Sequence, residues 1–122
     1  MEVRSTDELL SRKCLPCEGG VDACDLPEAQ RQLEGLPGWR ITHEGKRIRK
    51  DWTVRRFMDA MDFFEAVAKV SEEEGHHPDL HLESYRHVWI ELWTHAIGGL
   101  SENDFILAAK IDQLPIKLKP AT

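Results

Sequence analysis

Apolar positions recur every three or four residues from Leu26 to Leu33, so that Leu26, Ala29 and Leu33 share one face of an expected helix. Asp25 is placed to cap it, Glu28 three residues on completes a capping box, and Gly35, Pro37 and Gly38 stop it. The period then changes. WRITHEGKRIRKDWTV predicts two strands around a turn at Glu44 and Gly45, with Ile48, Trp52 and Val54 on one face and Lys50 interrupting it. RRFMDAMDFFEAVAKVSEEE returns to helical spacing, and its stripe of Phe57, Met61, Phe64, Val67, Ala68 and Ser71 is read as core.

Alternation resumes from His81 to about Thr94, where Val88, Ile90, Leu92 and Thr94 alternate with Tyr85, His87, Trp89, Glu91, Trp93 and His95. Parity assigns His95 to the face opposite the aliphatic one. Two tryptophans on that second face predict a pocket wall or a subunit contact. The last helix is expected after Gly98 and Gly99, with Ser101 as N-cap, Asp104 as the reciprocal acid, and Leu100 packing on Phe105. Residues 1–24 contain Pro16, Gly19 and Gly20 and no sustained period. They are expected to form an irregular N-terminal extension, with one helical turn in TDELL, ahead of a single domain over residues 25–122.

A chain of 122 residues suits one modest core, and 41% hydrophobic with 31% charged residues suits a compact folded protein rather than a disordered one. No apolar run is long enough to span a membrane, and the expected compartment is the cytoplasm. The formal charge of -6 disfavours a nucleic-acid backbone as the main partner. The local cluster of Lys46, Arg47, Arg49, Lys50, Arg55 and Arg56 reads instead as a solvated strand and helix surface. Cys14 and Cys17 have C-x-x-C spacing, which can hold zinc or cycle as a dithiol. Only Cys24 offers a nearby third thiol, short of the usual four ligands.

The chemistry concentrates in EEGHHPD, Glu73 to Asp79. Gly75 can end the helix and Pro78 keeps His77 out of helical conformation, so the two imidazoles project from a punctuated turn. Imidazole exchanges protons near neutral pH, which suits binding and acid–base work. Glu72, four residues before His76, can either reach back to orient an imidazole or stand as a solvated acid. His76, His77, His81, His87 and His95 are numerous enough for three to meet at a metal in space, but they lack a familiar zinc-ligand spacing, and His81 and His87 are read as surface or supporting residues.

Gly38-Trp39, the E-x-x-x-H-H-P from Glu72 to Pro78, Tyr85, and THAIGGLSENDF from Thr94 to Phe105 together resemble the pterin-4a-carbinolamine dehydratase family, over about residues 25 to 114. The resemblance implies an α/β (α+β) fold with a four-stranded antiparallel sheet and helices mainly on one face. In its order, α-β-β-α-β-β-α, every element but one strand is also read from the periods. The short strand at about Leu80 to Glu83 rests on the resemblance alone. It further implies His76, His77 and His95 as catalytic and pterin-site histidines. Glu72 and Asp104 are the implied supporting residues, and Trp39 packs at the edge of the ring pocket.

The implied substrate is a 4a-hydroxytetrahydropterin, and the implied reaction is its dehydration to the quinonoid dihydropterin, recycling the pterin after aromatic amino-acid hydroxylation. No redox cofactor is needed, because no hydride or electron leaves. His77 and His95 would divide the acid and base work in an order left open, while His76 orients the pterin edge. The resemblance implies a homodimer or homotetramer. It also carries two alternatives: a related pterin connected with molybdopterin metabolism, and a noncatalytic dimerisation module.

Overall fold

The computed structural model describes residues 1–16 and 22–121. Helices α1 (Thr6–Ser11) and α2 (Leu26–Leu33) precede a hairpin of β1 (Arg40–Thr42) and β2 (Arg47–Thr53). Helix α3 (Phe57–Glu74) leads to a second hairpin, β3 (Asp79–Glu83) and β4 (His87–Leu92), and α4 (Glu102–Ile111) follows. The four strands make one antiparallel sheet in the order β1-β2-β4-β3. The two hairpins therefore join through their second strands. This is the expected order, with α1 before it at the turn expected in TDELL.

Local chemistry explains most of the element ends. Asp25 and Glu28 form the reciprocal capping box of α2, with Glu28 N–H donating to Asp25 at 2.9 Å and Asp25 N–H to Glu28 at 3.1 Å. At the start of α4, the Ser101 N–H donates to Asp104 Oδ2 at 3.0 Å. The β1–β2 turn runs through His43, Glu44 and Gly45, all at positive φ. Between β3 and β4 the chain reverses through Ser84 and Tyr85 at φ 50° and 51°. Tyr85 therefore belongs to the turn rather than to the strand face that alternation assigned to it, and it is 54% exposed.

The core lies between one sheet face and the helices. Ile48 on β2 and Val88, Ile90 and Leu92 on β4 are fully buried, as parity requires, and Thr94 continues the same buried row. Lys50 interrupts the β2 face without cost, because its ammonium leaves the core to meet Asp112 at 2.9 Å. Helix α4 is buried on nearly every side, from Asn103 through Ala109. Burying Phe63 and Phe105 stabilises the domain by about 1.5–3 kcal/mol each.

Helix α3 is turned relative to its expected stripe. Its buried residues are Asp59, Ala60, Phe63, Val67 and Ser71, whereas Phe57 and Ala68 are exposed and Met61 and Phe64 half-buried. Adjacent Phe63 and Phe64 leave the helical period ambiguous. The sheet resolves it, since Phe63 meets the Trp52 ring edge-to-face at 5.0 Å.

Residues 1–16 are also more structured than their composition suggested. A capping box of Ser5 and Glu8 starts α1, which packs on α4 and buries Leu9 completely. One and a half turns are too short for a hydrophobic period to show in sequence. Farther on, the Cys14 N–H donates to Glu74 at 2.8 Å, and the Asn103 side chain pairs with both backbone groups of Leu15 at 3.0 and 2.6 Å. This strap ties the end of α3 to the start of α4.

Candidate active site

The histidine junction begins where α3 stops. Gly75 is left-handed at φ 65°, and the His76 N–H donates back to Ser71 O at 3.2 Å, the six-to-one bond of a Schellman end. With Pro78 holding His77 extended, the backbone emerges from the helix directly into β3. The two imidazoles thus sit on a short, well-braced corner.

His76 reaches inward. Its Nε2 donates to Asp104 Oδ1 at 2.6 Å, and the Asp104 carboxylate is fully buried. The other carboxylate oxygen accepts the Thr94 hydroxyl at 2.8 Å and the Ser101 N–H at 3.0 Å. Because the single Thr94 proton goes to Asp104, the Ser101 hydroxyl donates to Thr94 at 2.7 Å. A buried carboxylate with three donors is satisfied as an anion, and it fixes His76 with its proton on Nε2. Nδ1 is the nitrogen left for other partners.

Glu72 is not the residue that orients His76. It approaches His77 instead, at 3.6 Å, with the two side chains 79% and 61% exposed. The helix end explains the difference, because the left-handed Gly75 turns His76 away from the preceding turn of α3 and into the domain. Solvent screens the Glu72–His77 pair.

His95 opens the 3-10 turn His95–Ile97 just after β4, and its exposed ring lies 4.0 Å from the Trp93 ring. His76, His77 and His95 line one cleft of about 200 Å³ with Gly75, Trp93, Thr94 and Ala96. Three imidazoles converge there, and Asp104 stands behind one of them. Trp39 is elsewhere: its Nε1 donates to Asp112 at 3.1 Å beyond the C-terminal end of α4, about 12 Å along the helix from Asp104. Its ring packs on Trp52.

Two contributors were absent from the expected site residues. Trp93 walls the cleft, and strand parity had already put it on the face of His95 with a pocket wall as one reading. Thr94 carries the hydrogen-bond chain to Asp104. A threonine in an aliphatic row is its trace in the sequence, since a buried hydroxyl requires a partner.

Glu74, the last residue of α3, has a lowered carboxyl pKa. Burial opposes ionisation, but Lys110 at 2.8 Å and the Cys14 N–H outweigh it. Burial, with Glu74 adding to it, pushes the Cys14 thiol up to about 12, and burial with Glu28 pushes Cys24 up to about 11. Both thiols are therefore held in the neutral form by their surroundings. Cys17 lies outside the described residues. Among the described residues no group of three or more His, Cys, Asp or Glu side chains is placed to hold a metal ion.

Residues 22–114 match the family described as Pterin 4 alpha carbinolamine dehydratase. The chain is 45% identical over 116 residues to Pterin-4-alpha-carbinolamine dehydratase 2, mitochondrial, of Arabidopsis thaliana, an alignment covering 93% of this chain and 62% of the plant protein. A Dechloromonas aromatica (strain RCB) protein bearing the same family name is 48% identical over 106 residues, covering 87% of this chain and 92% of that one. Among solved structures, a transcriptional coactivator/pterin dehydratase from Brucella melitensis superposes with TM-score 0.68 at 26% identity, over 75% of this chain and 96% of that one. A family match over most of the sequence, with a plant and a bacterial relative at 45% and 48% identity, establishes that this chain belongs to the pterin 4 alpha carbinolamine dehydratase family.

Proposed function

We propose that this protein dehydrates a 4a-hydroxytetrahydropterin to the quinonoid dihydropterin and water. The convergence of His76, His77 and His95 on one cleft is the observation that carries the reading. In the reaction the C4a–O bond breaks, the hydroxyl leaves as water after gaining a proton, and N5 loses its proton as the new double bond forms. One group must give a proton while another takes one. Imidazoles suit both tasks near neutral pH, and positioned acid–base groups contribute about 10²–10⁴-fold.

The environments suggest a division of labour. His76, locked to Asp104, binds and orients the pterin edge. His77 and His95, more exposed and free of strong carboxylate bonds, handle the protons at the C4a hydroxyl and N5. Glu72 approaches His77 across solvent and makes only a screened contact with it.

The same reading extends to assembly, partners and compartment. β1 and β3 are edge strands, and a small open sheet protects its edges by pairing or packing, which supports a homodimer or homotetramer. Among the described residues no helix is long and apolar enough to cross a membrane. Arg47, Arg49, Lys50, Arg55 and Arg56 are paired with Glu91, Asp51, Asp112 and Asp59, leaving the basic cluster poorly suited to a phosphate backbone. We place the chemistry in the cytoplasm, where thiols such as Cys14 and Cys24 persist unoxidised.

The decisive experiment generates 4a-hydroxytetrahydrobiopterin by rapid mixing and follows its dehydration with purified protein, using heat-inactivated protein as control. Acceleration without added cofactor is expected. No acceleration by demonstrably folded protein would reject the proposal and redirect attention to another pterin or to an interaction role.

A further inference from the structure

The three cleft histidines are held in different ways. His76 has a buried carboxylate, and His77 has a loose one. The His95 ring makes no hydrogen bond to any described residue, although it sits in an exposed turn. Its ring contact is Trp93, at 4.0 Å between centroids and 33° between planes. An imidazole held in this way keeps its orientation only as well as the surface beneath it.

That surface is anchored. The Trp93 Nε1–H donates to Asp79 Oδ2 at 3.0 Å, and the Arg47 guanidinium lies 4.6 Å from the Trp93 ring centroid. Asp79 opens β3 immediately after His76, His77 and Pro78. The bond therefore connects the backbone of one histidine pair to the ring that supports the third histidine. A second tie runs through Thr94, Asp104 and His76. Trp93 and Thr94, the two residues before His95, are thus each bound back to the histidine junction.

We infer that Asp79 is a positioning residue for the dehydration: by fixing the Trp93 indole it holds the His95 imidazole in register with His76 and His77. This role rests on the proposed function for its catalytic meaning, but its geometric content can be measured separately. Asp79 does not touch the reacting atoms. It acts through Trp93.

The test compares Asp79→Ala, Asp79→Asn and Trp93→Phe, singly and combined, for turnover and for nuclear Overhauser contacts between the rings at positions 93 and 95. Asn keeps an oxygen that accepts the indole proton, so D79N should retain kcat within about twofold. D79A should lose about tenfold in kcat, in line with the sensitivity of acid–base catalysis to small misplacement. W93F removes the indole donor, so adding D79A to it should cost little more, and the double-mutant cycle should show strong coupling. The ring contact should weaken in D79A and survive in D79N. An unchanged ring contact in D79A overturns the inference, and so does equal turnover in D79A and wild type. If wild-type protein fails to dehydrate the pterin, the proposed function fails, while the ring contacts still decide whether Asp79 positions His95. Circular dichroism of D79N and D79A separates loss of position from loss of fold.

Discussion

His76 Nε2 lies 2.6 Å from Asp104 Oδ1, while the other oxygen of the same carboxylate accepts the first N–H of the α4 cap and the Thr94 hydroxyl. One buried side chain thus starts a helix and orients an imidazole. A helix cap and the partner of a cleft imidazole are the same group here, so the geometry of the cleft depends on the folding of α4.

Replacing Asp104 with Asn tests that dual role. Asn can still accept from Thr94 and Ser101 through its oxygen, but its amide would donate to His76 and force the ring proton from Nε2 to Nδ1. Loss of the charged bond is expected to cost about 1–3 kcal/mol of stability and about 10–10²-fold in kcat/KM. Chemical denaturation gives the first quantity, steady-state kinetics the second, and the ¹⁵N shifts of the His76 ring report the tautomer. A ring unchanged in D104N would show that Asp104 does not set it.

The three histidines should separate by stability as well as by rate. His77→Ala and His95→Ala remove exposed rings, so melting temperature should barely move while turnover falls by about 10²-fold or more. His76→Ala also strands a buried Asp104 oxygen and should unfold about 1–3 kcal/mol more easily. Glu72→Gln should change turnover by less than about threefold, because solvent screens its approach to His77. Thermal melts beside kinetics on the four proteins would reveal any departure from this ranking.

Trp39→Phe should act on stability rather than chemistry. It removes the indole bond to Asp112 and part of the packing on Trp52 at the end of α4 far from Asp104. A loss of about 1–2 kcal/mol is expected, with KM within about twofold of wild type. A large rise in KM would place Trp39 at the pterin after all, most simply through contact with another subunit.

On the open sheet face, the paired bonds from Arg49 hold the Asp51 carboxyl well below the usual range, against burial and with help from His87 at 2.6 Å. A carboxyl whose folded pKa is depressed stabilises the fold above its unfolded value, near 3.9, and loses that contribution as pH falls toward the folded value. Asp51→Asn should therefore cost about 1–2 kcal/mol at pH 7 and progressively less below about pH 4. Urea titrations of both proteins at pH 7 and pH 3 measure it. A gap that widens in acid would contradict the assignment.

Features governed by neighbours a few residues apart were legible in the sequence. The Asp25–Glu28 box, the glycine end of α3, the break at Pro78 and the alternation of β4 depend on backbone geometry and local side chains, and all are present. The histidines could be singled out for the same reason, because their turn is defined by Gly75 and Pro78. Tertiary contacts decided the rest. His76 takes its carboxylate from a residue 28 positions away rather than from the one a helical turn before it. Trp39 is fixed by a residue 73 positions on, and the face of α3 that turns inward is selected by Trp52. Periodicity assigns a residue to a face but not a partner to a side chain; partners are selected when burial removes water and each polar group must find its hydrogen bond within the fold.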